Sequence, residues 1–270
     1  MSVSRFQRCL FLITCSFLLL QFSACSQKGP SGVVEITLVQ MNDVYEMKPL
    51  GVRPGDAGVG GLARVASLIK RLETENPDTY VFCAGDLVSP SAIRDAVVDG
   101  ERLAGKQMIA AMNALGLDYM TFGNHEFDIK EAELRARIDE SEATWVSSNI
   151  TDVTNQPFPK TSPNVTFQTK GSPSIKVGIF SLTLDTAGAD WVTYNMDLQE
   201  IAKQQVEDLR TNQQAKVVIG LTHLAMKTDK EVATVSGIDL ILGGHEHNHM
   251  TDTTHAPVFK ADANAVTVYV

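Results

Sequence analysis

A chain of 270 residues, 44% hydrophobic and 20% charged, has the composition of a folded protein with one large core, not of a disordered or fibrous one. With 23 Lys and Arg against 32 Asp and Glu it carries a net charge of −9. That acidity, with no basic run interleaved with aromatics, argues against a nucleic-acid polymer as partner.

Residues 1–24 read as a signal peptide. Arg5 and Arg8 form a basic start, and Leu10 to Leu20 is an apolar run too short to span a bilayer as a mature helix. The run leads into Phe22-Ser23-Ala24-Cys25, which resembles a bacterial lipoprotein cleavage site with Cys25 as the acylated first residue. Plain signal cleavage is the alternative, because Phe22 stands where leucine is usual. Residues 25–32 are then a flexible tether. The expected address is the periplasm or the cell surface, with a membrane contacted through an N-terminal lipid only. Loss of Arg5 and Arg8 would leave 21 basic against 32 acidic residues, a net charge of −11. Of four cysteines, Cys9 and Cys15 leave with the signal and Cys25 is the acyl acceptor. Cys83 remains as a small hydrophobe in a strand, so no disulfide framework follows.

From residue 33 onward, strand-like and helix-like patterns alternate. Ile36 to Asn42 reads as a strand and is followed by Asp43. Gly60-Gly61 opens a helix in which Leu62, Val65, Ala66, Ile69 and Leu72 recur at helical spacing. Tyr80 to Gly85 reads as a strand ending at Asp86, and Met108, Ile109, Met112 and Leu115 mark a second helix. Leu117 to Phe122 reads as a strand, after which Gly123 turns the chain into Asn124-His125-Glu126-Phe127-Asp128. Leu134 and Ile138 mark a third helix, and residues 151–173, rich in Thr, Pro, Asn and Ser, read as a surface excursion. A strand at Ile175 to Ser181 precedes a helix carrying Leu198, Ile201, Ala202, Val206 and Leu209. Val217 to Thr222 then ends at His223, and Leu240 to Gly244 is followed by His245 and His247. Val266 to Val270 has strand composition with nothing after it, so a fragment lacking a further C-terminal domain is the expectation.

The alternation argues for an α/β chain with largely parallel pairing. Five apolar runs of strand length each end in a residue able to ligate a metal, and open α/β sheets place their sites beyond the C-terminal ends of strands. Any one of these aspartates alone could equally be a helix N-cap. His249 and His255 read as loop residues, and Glu126 as either an outer-shell carboxylate or a helix cap.

Asp43, Gly85-Asp86, Gly123-Asn124-His125-Glu126, His223 and Gly243-Gly244-His245-Glu246-His247, in this order, resemble the calcineurin-like metallophosphoesterases. Gly60 to Arg64, Gly123 to Asp128 and Gly243 to His247 resemble the 5'-nucleotidase branch. The resemblance implies a metallophosphoesterase fold over residues 33–270, with two facing β-sheets flanked by helices in an αββα sandwich. It implies two divalent ions, Zn, Mn or similar. Asp43, Asp86 and His247 would hold one, and Asp86, Asn124, His223 and His245 the other. Asp86 would bridge by sharing its two oxygens. A hydroxide bridging the ions would attack phosphorus, and His125, held by Asp128, would protonate the leaving group. The implied substrate is a nucleoside 5'-phosphate or another phosphate ester. A cyclic-nucleotide phosphodiesterase on the same site, or an inactive surface-anchored binding protein, are the alternatives. The chain departs from the pattern at Tyr45, where histidine is usual. Tyr45 is a candidate ligand, with iron the metal if it ligates, but the length of a phenol favours its swinging away and leaving water in its place.

Overall fold

The computed structural model describes residues 32–51, 53–54, 57–185 and 188–270. The stretch expected to be a signal peptide, Cys25 and all of the expected tether but Gly32 lie outside the described residues. Val34–Val270 form one compact unit. In chain order its first half runs β1 (Thr37–Met41), α1 (Leu62–Glu75), β2 (Thr79–Cys83), β3 (Val97–Val98), β4 (Glu101–Arg102), α2 (Lys106–Leu115), β5 (Tyr119–Thr121), α3 (Glu131–Glu140), β6 (Thr144–Val146), β7 (Ile150–Asp152) and β8 (Thr161–Ser162). The second half runs β9 (Asn164–Gln168), β10 (Lys176–Thr183), β11 (Val192–Tyr194), α4 (Leu198–Glu207), β12 (Val217–His223), α5 (Met226–Val232), β13 (Leu240–Gly243), β14 (Met250–Asp252) and β15 (Val258–Lys260).

Two sheets result. One has the order β1-β2-β5-β6-β8 and is parallel throughout. The other has the order β14-β15-β13-β12-β10-β9, parallel at its centre, with antiparallel edges at β9 and β14. Side chains alternate across a strand, so β2 shows how the layers form. Val81 and Cys83 join a core with Val65 and Ile69 of α1 and Met108 and Met112 of α2. Tyr80 and Phe82 face the other way, packing with Val177, Ile179, Ile219 and Leu221 of the second sheet. Beyond that sheet, Leu198, Ile201 and Val206 of α4 and Met226 and Val232 of α5 build the outer helical layer. The result is helix, sheet, sheet, helix, as the resemblance implied, and it explains why all five residues of β2 are buried. Fully burying a side chain such as Phe82 contributes about 1.5–3 kcal/mol.

The periodic runs form helices at α1 to α4, and α2 stops at Gly116, whose φ of 85° only glycine adopts without strain. Leu209 lies just past α4, in a π-helical turn over Asp208–Asn212. Helix α5, seven residues long, was too short to register as a period. Residues 151–173 are more than an excursion. They supply β8 to the edge of the first sheet and β9 to the edge of the second. Edge strands need no apolar run, because only one flank and part of one face are covered. Residues 266–270 do not form a strand; Tyr269 makes one antiparallel bridge to Gln40 of β1. No helix among the described residues is long and apolar enough to cross a membrane.

Candidate metal centre

Because β1, β2 and β5 run parallel to one another, as do β12 and β13, the loops after the first three share one end of the first sheet, and those after the other two share one end of the second. Asp43, Asp86 and Asn124 leave the first sheet there, and His223, His245 and His247 leave the second. No helix starts directly after Asp43 or Asp86, so neither aspartate is an N-cap. One donor atom from each of Asp43, Asp86 and His223 falls within 4.8 Å of the others, and all three residues are buried. His223 points its Nε2 inward, 3.3 Å from Asp86 Oδ2 and 3.1 Å from Asn124 Oδ1, because its Nδ1 bonds the Ala84 carbonyl at 2.7 Å. The His245 ring lies edge-on to His223 with centroids 5.4 Å apart. His247 Nε2 is 3.1 Å from Asp43 Oδ1.

Four of these residues hold their side chains at a backbone cost. Asp43, Asp86, His245 and His247 have φ of 52°, 58°, 90° and 59°, the left-handed region that L residues avoid. Such strain, about 1–3 kcal/mol per residue, persists where the surroundings over-determine it. These residues lie two to four positions past the ends of β1, β2 and β13, where the chain turns sharply.

Tyr45 does not swing away. Its hydroxyl lies 3.1 Å from Asp43 Oδ1, 2.9 Å from Asp86 Oδ2 and 3.0 Å from His247 Nε2. The loop holds it there: Asn264 Oδ1 accepts the backbone N–H groups of Tyr45 and Glu46. Asp86 Oδ1 accepts the His125 backbone N–H at 2.8 Å, and its Oδ2 lies between Tyr45 and His223.

A phenol has one proton to donate, yet two carboxylate oxygens and an imidazole nitrogen lie about 3 Å from this one. The cluster is short of positive charge, and the directions in which its groups are shifted agree. Burial opposes charge on Asp43, but the His247 hydrogen bond and the His223 charge hold its carboxyl well below the usual range. Burial would neutralise His223, yet the Asp86 charge and hydrogen bond push it up to about 9. His247 is raised by its hydrogen bond to Asp43, and burial with the Asp86 and Asp43 charges drives the Tyr45 phenol far up. Burial and the charge on His223 lower His245. Oxygen and imidazole donors this close, short of compensating charge, fit divalent cations.

Beside the donors stands His125, with Nδ1 2.7 Å from Asp128 Oδ2 and a little over a third of its side chain exposed. Glu126 is neither a helix cap nor a ligand. Fully buried, it accepts the N–H groups of Asp86 (2.9 Å), Leu87 (2.6 Å), Val88 (3.2 Å) and Gly123 (2.5 Å), tying the Asp86 loop to the Asn124 loop. Burial and the Asp86 charge push its carboxyl up to about 7 against the pull of those donors. Gly123 is needed for closeness, not for its turn: a Cβ there would sit 2.1 Å from Asp86 Oδ1.

Behind the histidine loop, buried Lys260 reaches Asp229 (2.7 Å), Glu246 (2.5 Å) and the carbonyl oxygens of Leu224 (2.5 Å) and Gly244 (2.9 Å). Sequence reading missed Lys260 and Asn264, which carry no local pattern. Arg64 donates to the carbonyls of Ala57, Gly58 and Gly60, the structural role expected of a helix opening. His249 stacks on Tyr269, its Nε2 2.6 Å from the phenol oxygen, and makes no contact with the donor cluster. His255 is exposed.

A family model describing calcineurin-like phosphoesterases matches residues 36–249. An apyrase of Tabanus yao is 27% identical over 233 residues, covering 82% of this chain and 41% of its own length. The trifunctional nucleotide phosphoesterase protein YfkN of Bacillus subtilis is 30% identical over 266 residues, covering 84% of this chain and 17% of its own. The chain thus spans less than half the length of these curated relatives. The crystal structure of a 5'-nucleotidase precursor from Thermus thermophilus superposes with a TM-score of 0.71 at 22% identity, over 86% of this chain and 49% of that one. At that identity the superposition speaks for the fold, and the family match over most of the chain speaks for the lineage. By fold, site geometry and sequence together, this chain belongs to the calcineurin-like phosphoesterase family.

Proposed function

We propose that this chain is the catalytic unit of an exported, metal-dependent phosphomonoesterase acting on nucleoside 5'-phosphates. The observation that carries the reading is the buried cluster of Asp43, Asp86 and His223, with Asn124 against His223 and His247 against Asp43, beside a hydrogen-bonded His125–Asp128 pair. Asp43, Asp86 and His247, with Tyr45 as a fourth donor, would hold one cation, and Asp86, Asn124, His223 and His245 the second. Two divalent ions there would supply Lewis acidity toward a phosphoryl group and offset its charge on an otherwise acidic protein.

The protein's own groups do the rest. Asp128 holds His125 through Nδ1, so Nε2 is the atom that carries a proton to a departing alkoxide. Glu126 keeps Asp86 and Asn124 at fixed separation, and Lys260 anchors the loop that bears His245 and His247. The intact His125–Asp128 contact favours an active enzyme over an inactive binding protein.

The nucleotide substrate rests on the names of relatives, among them a probable 5'-nucleotidase of Treponema pallidum at 25% identity. A Yersinia enterocolitica relative named 2',3'-cyclic-nucleotide 2'-phosphodiesterase/3'-nucleotidase, also 25% identical, makes cyclic esters the second reading. Export and acylation at Cys25 rest on the sequence pattern alone. The test is turnover of a panel of nucleoside 5'-, 3'- and cyclic phosphates, with metal content measured on the same preparation. Preferred release of phosphate from 5'-monophosphates, abolished by chelation and restored by divalent ions, is the expected result. Turnover of cyclic esters alone would transfer the assignment to the second reading, and no metal-dependent turnover of any ester would overturn both.

A further inference from the structure

We propose that Ser89 and Arg94 are positioning residues of the proton donor, a two-step relay that fixes the tautomer and aim of His125. The inference rests on the reading in which His125 protonates the leaving group.

Asp128 Oδ2 is a shared acceptor. It lies 2.7 Å from His125 Nδ1 and 3.1 Å from the Ser89 hydroxyl. The Ser89 oxygen in turn accepts from an Arg94 Nη1 N–H at 2.9 Å, and that nitrogen is 3.9 Å from Asp128 Oδ2. The directions follow from the chemistry of the partners. Arginine has donors and no acceptor, so Ser89 must receive from Arg94. The single hydroxyl proton is then turned toward Asp128, which leaves that carboxylate as acceptor on both sides. To bond such an oxygen, His125 must carry its proton on Nδ1, and Nε2 is left as the atom that gains and loses a proton.

Two placements make this a built device and not a chance surface contact. Ser89 is fully buried, three residues past Asp86 and next to the loop segment that Glu126 ties down, so its hydroxyl is fixed relative to the donor cluster. Arg94 is braced on its other side, with Nε and Nη2 paired to Asp95, which also takes Arg102 at 2.7 Å. Those contacts engage the Nε/Nη2 edge of the guanidinium while Nη1 reaches Ser89, so the group is held from two sides, which favours positioning.

The test is a kinetic double-mutant cycle on the metal-loaded protein with two esters. Ser89→Ala removes only the hydroxyl. It is expected to lower kcat for a nucleoside 5'-phosphate about 10-fold, a fraction of the roughly 10²–10⁴ that a general acid supplies. KM and metal content should hold. For p-nitrophenyl phosphate, whose leaving group departs without a proton, the loss should be several-fold smaller. In a His125→Ala background the same substitution should cost nothing further, since there is no imidazole left to aim. Arg94→Met, a change at the rim with little folding risk, should reproduce the same ester dependence at lower amplitude.

Equal losses of Ser89→Ala on both esters, or full additivity with His125→Ala, would overturn the relay while leaving His125 as the acid. A His125→Ala protein that keeps wild-type turnover of the nucleotide would overturn the relay and the assignment of the acid together. Loss of metal or of cooperative melting in Ser89→Ala passes the decision to Arg94→Met, where an equal effect on both esters overturns the proposal.

Discussion

Replacing Glu126 by glutamine separates a loop clamp from a catalytic carboxylate. In the native fold both oxygens of a fully buried group are acceptors: Oε1 for Leu87 and Val88, Oε2 for Asp86 and Gly123. An amide keeps one acceptor and turns an NH2 group toward the other pair of backbone N–H groups, so donors face donors. Each buried donor left unpaired costs about 1–3 kcal/mol, so two cost about 2–6 kcal/mol. That is a large share of the roughly 5–15 kcal/mol that holds a typical domain. Urea unfolding of the metal-free protein, followed through the fluorescence of Trp145 and Trp191 in the first core, reads the loss directly. Because Glu126 ties the Asp86 loop to the Asn124 loop, the variant should also bind divalent ions more weakly at temperatures where it is still folded. A Glu126→Gln protein within about 0.5 kcal/mol of wild type, with unchanged metal affinity, would refute the clamp.

Asp86→Asn should abolish metal binding and turnover together, because it removes the negative charge that both donor sets share; a purified variant retaining its metal and normal activity would show the constellation to be misassigned. Tyr45→Phe should weaken one cation about 10–100-fold in calorimetric titration while Tyr45→His restores it, and unchanged affinity in the Phe variant would remove Tyr45 from the site. Lys260→Met strands the buried Asp229 carboxylate and two carbonyls, so unfolding free energy should fall by about 3–5 kcal/mol; a loss under about 1 kcal/mol would mean the ammonium is not the keystone of that loop. Cys25→Ser should release the protein from membranes in cell fractionation, and an unlipidated wild-type terminus with the same partitioning would mean that the short cleavage pattern does not act as one.

The sequence by itself determined the order of the central strands and of the four periodic helices, and it named the candidate donors. Apolar runs ending in Asp43, Asp86, His223 and the His245–His247 pair are local facts, because a strand and the residue after it are contiguous in the chain. The alternation of those runs with helical periods is likewise local, and it was enough to imply a parallel α/β core. What only the tertiary structure decided are relations between loops from different strands. Glu126 read as a cap or an outer carboxylate, and its four N–H donors became visible only when the Asp86 and Gly123 loops met. Tyr45 read as too long for a histidine's place, but the side-chain amide oxygen of Asn264, more than two hundred residues away, holds its backbone so that the ring aims inward. Residues 151–173 read as an excursion, because edge strands carry no apolar signature until a sheet stands beside them. Lys260 and the Ser89–Arg94 pair left no pattern at all. Hydrophobic period reports which face of an element is buried, whereas polar placement depends on which backbone groups come within about 3 Å, a distance that no spacing along the chain encodes.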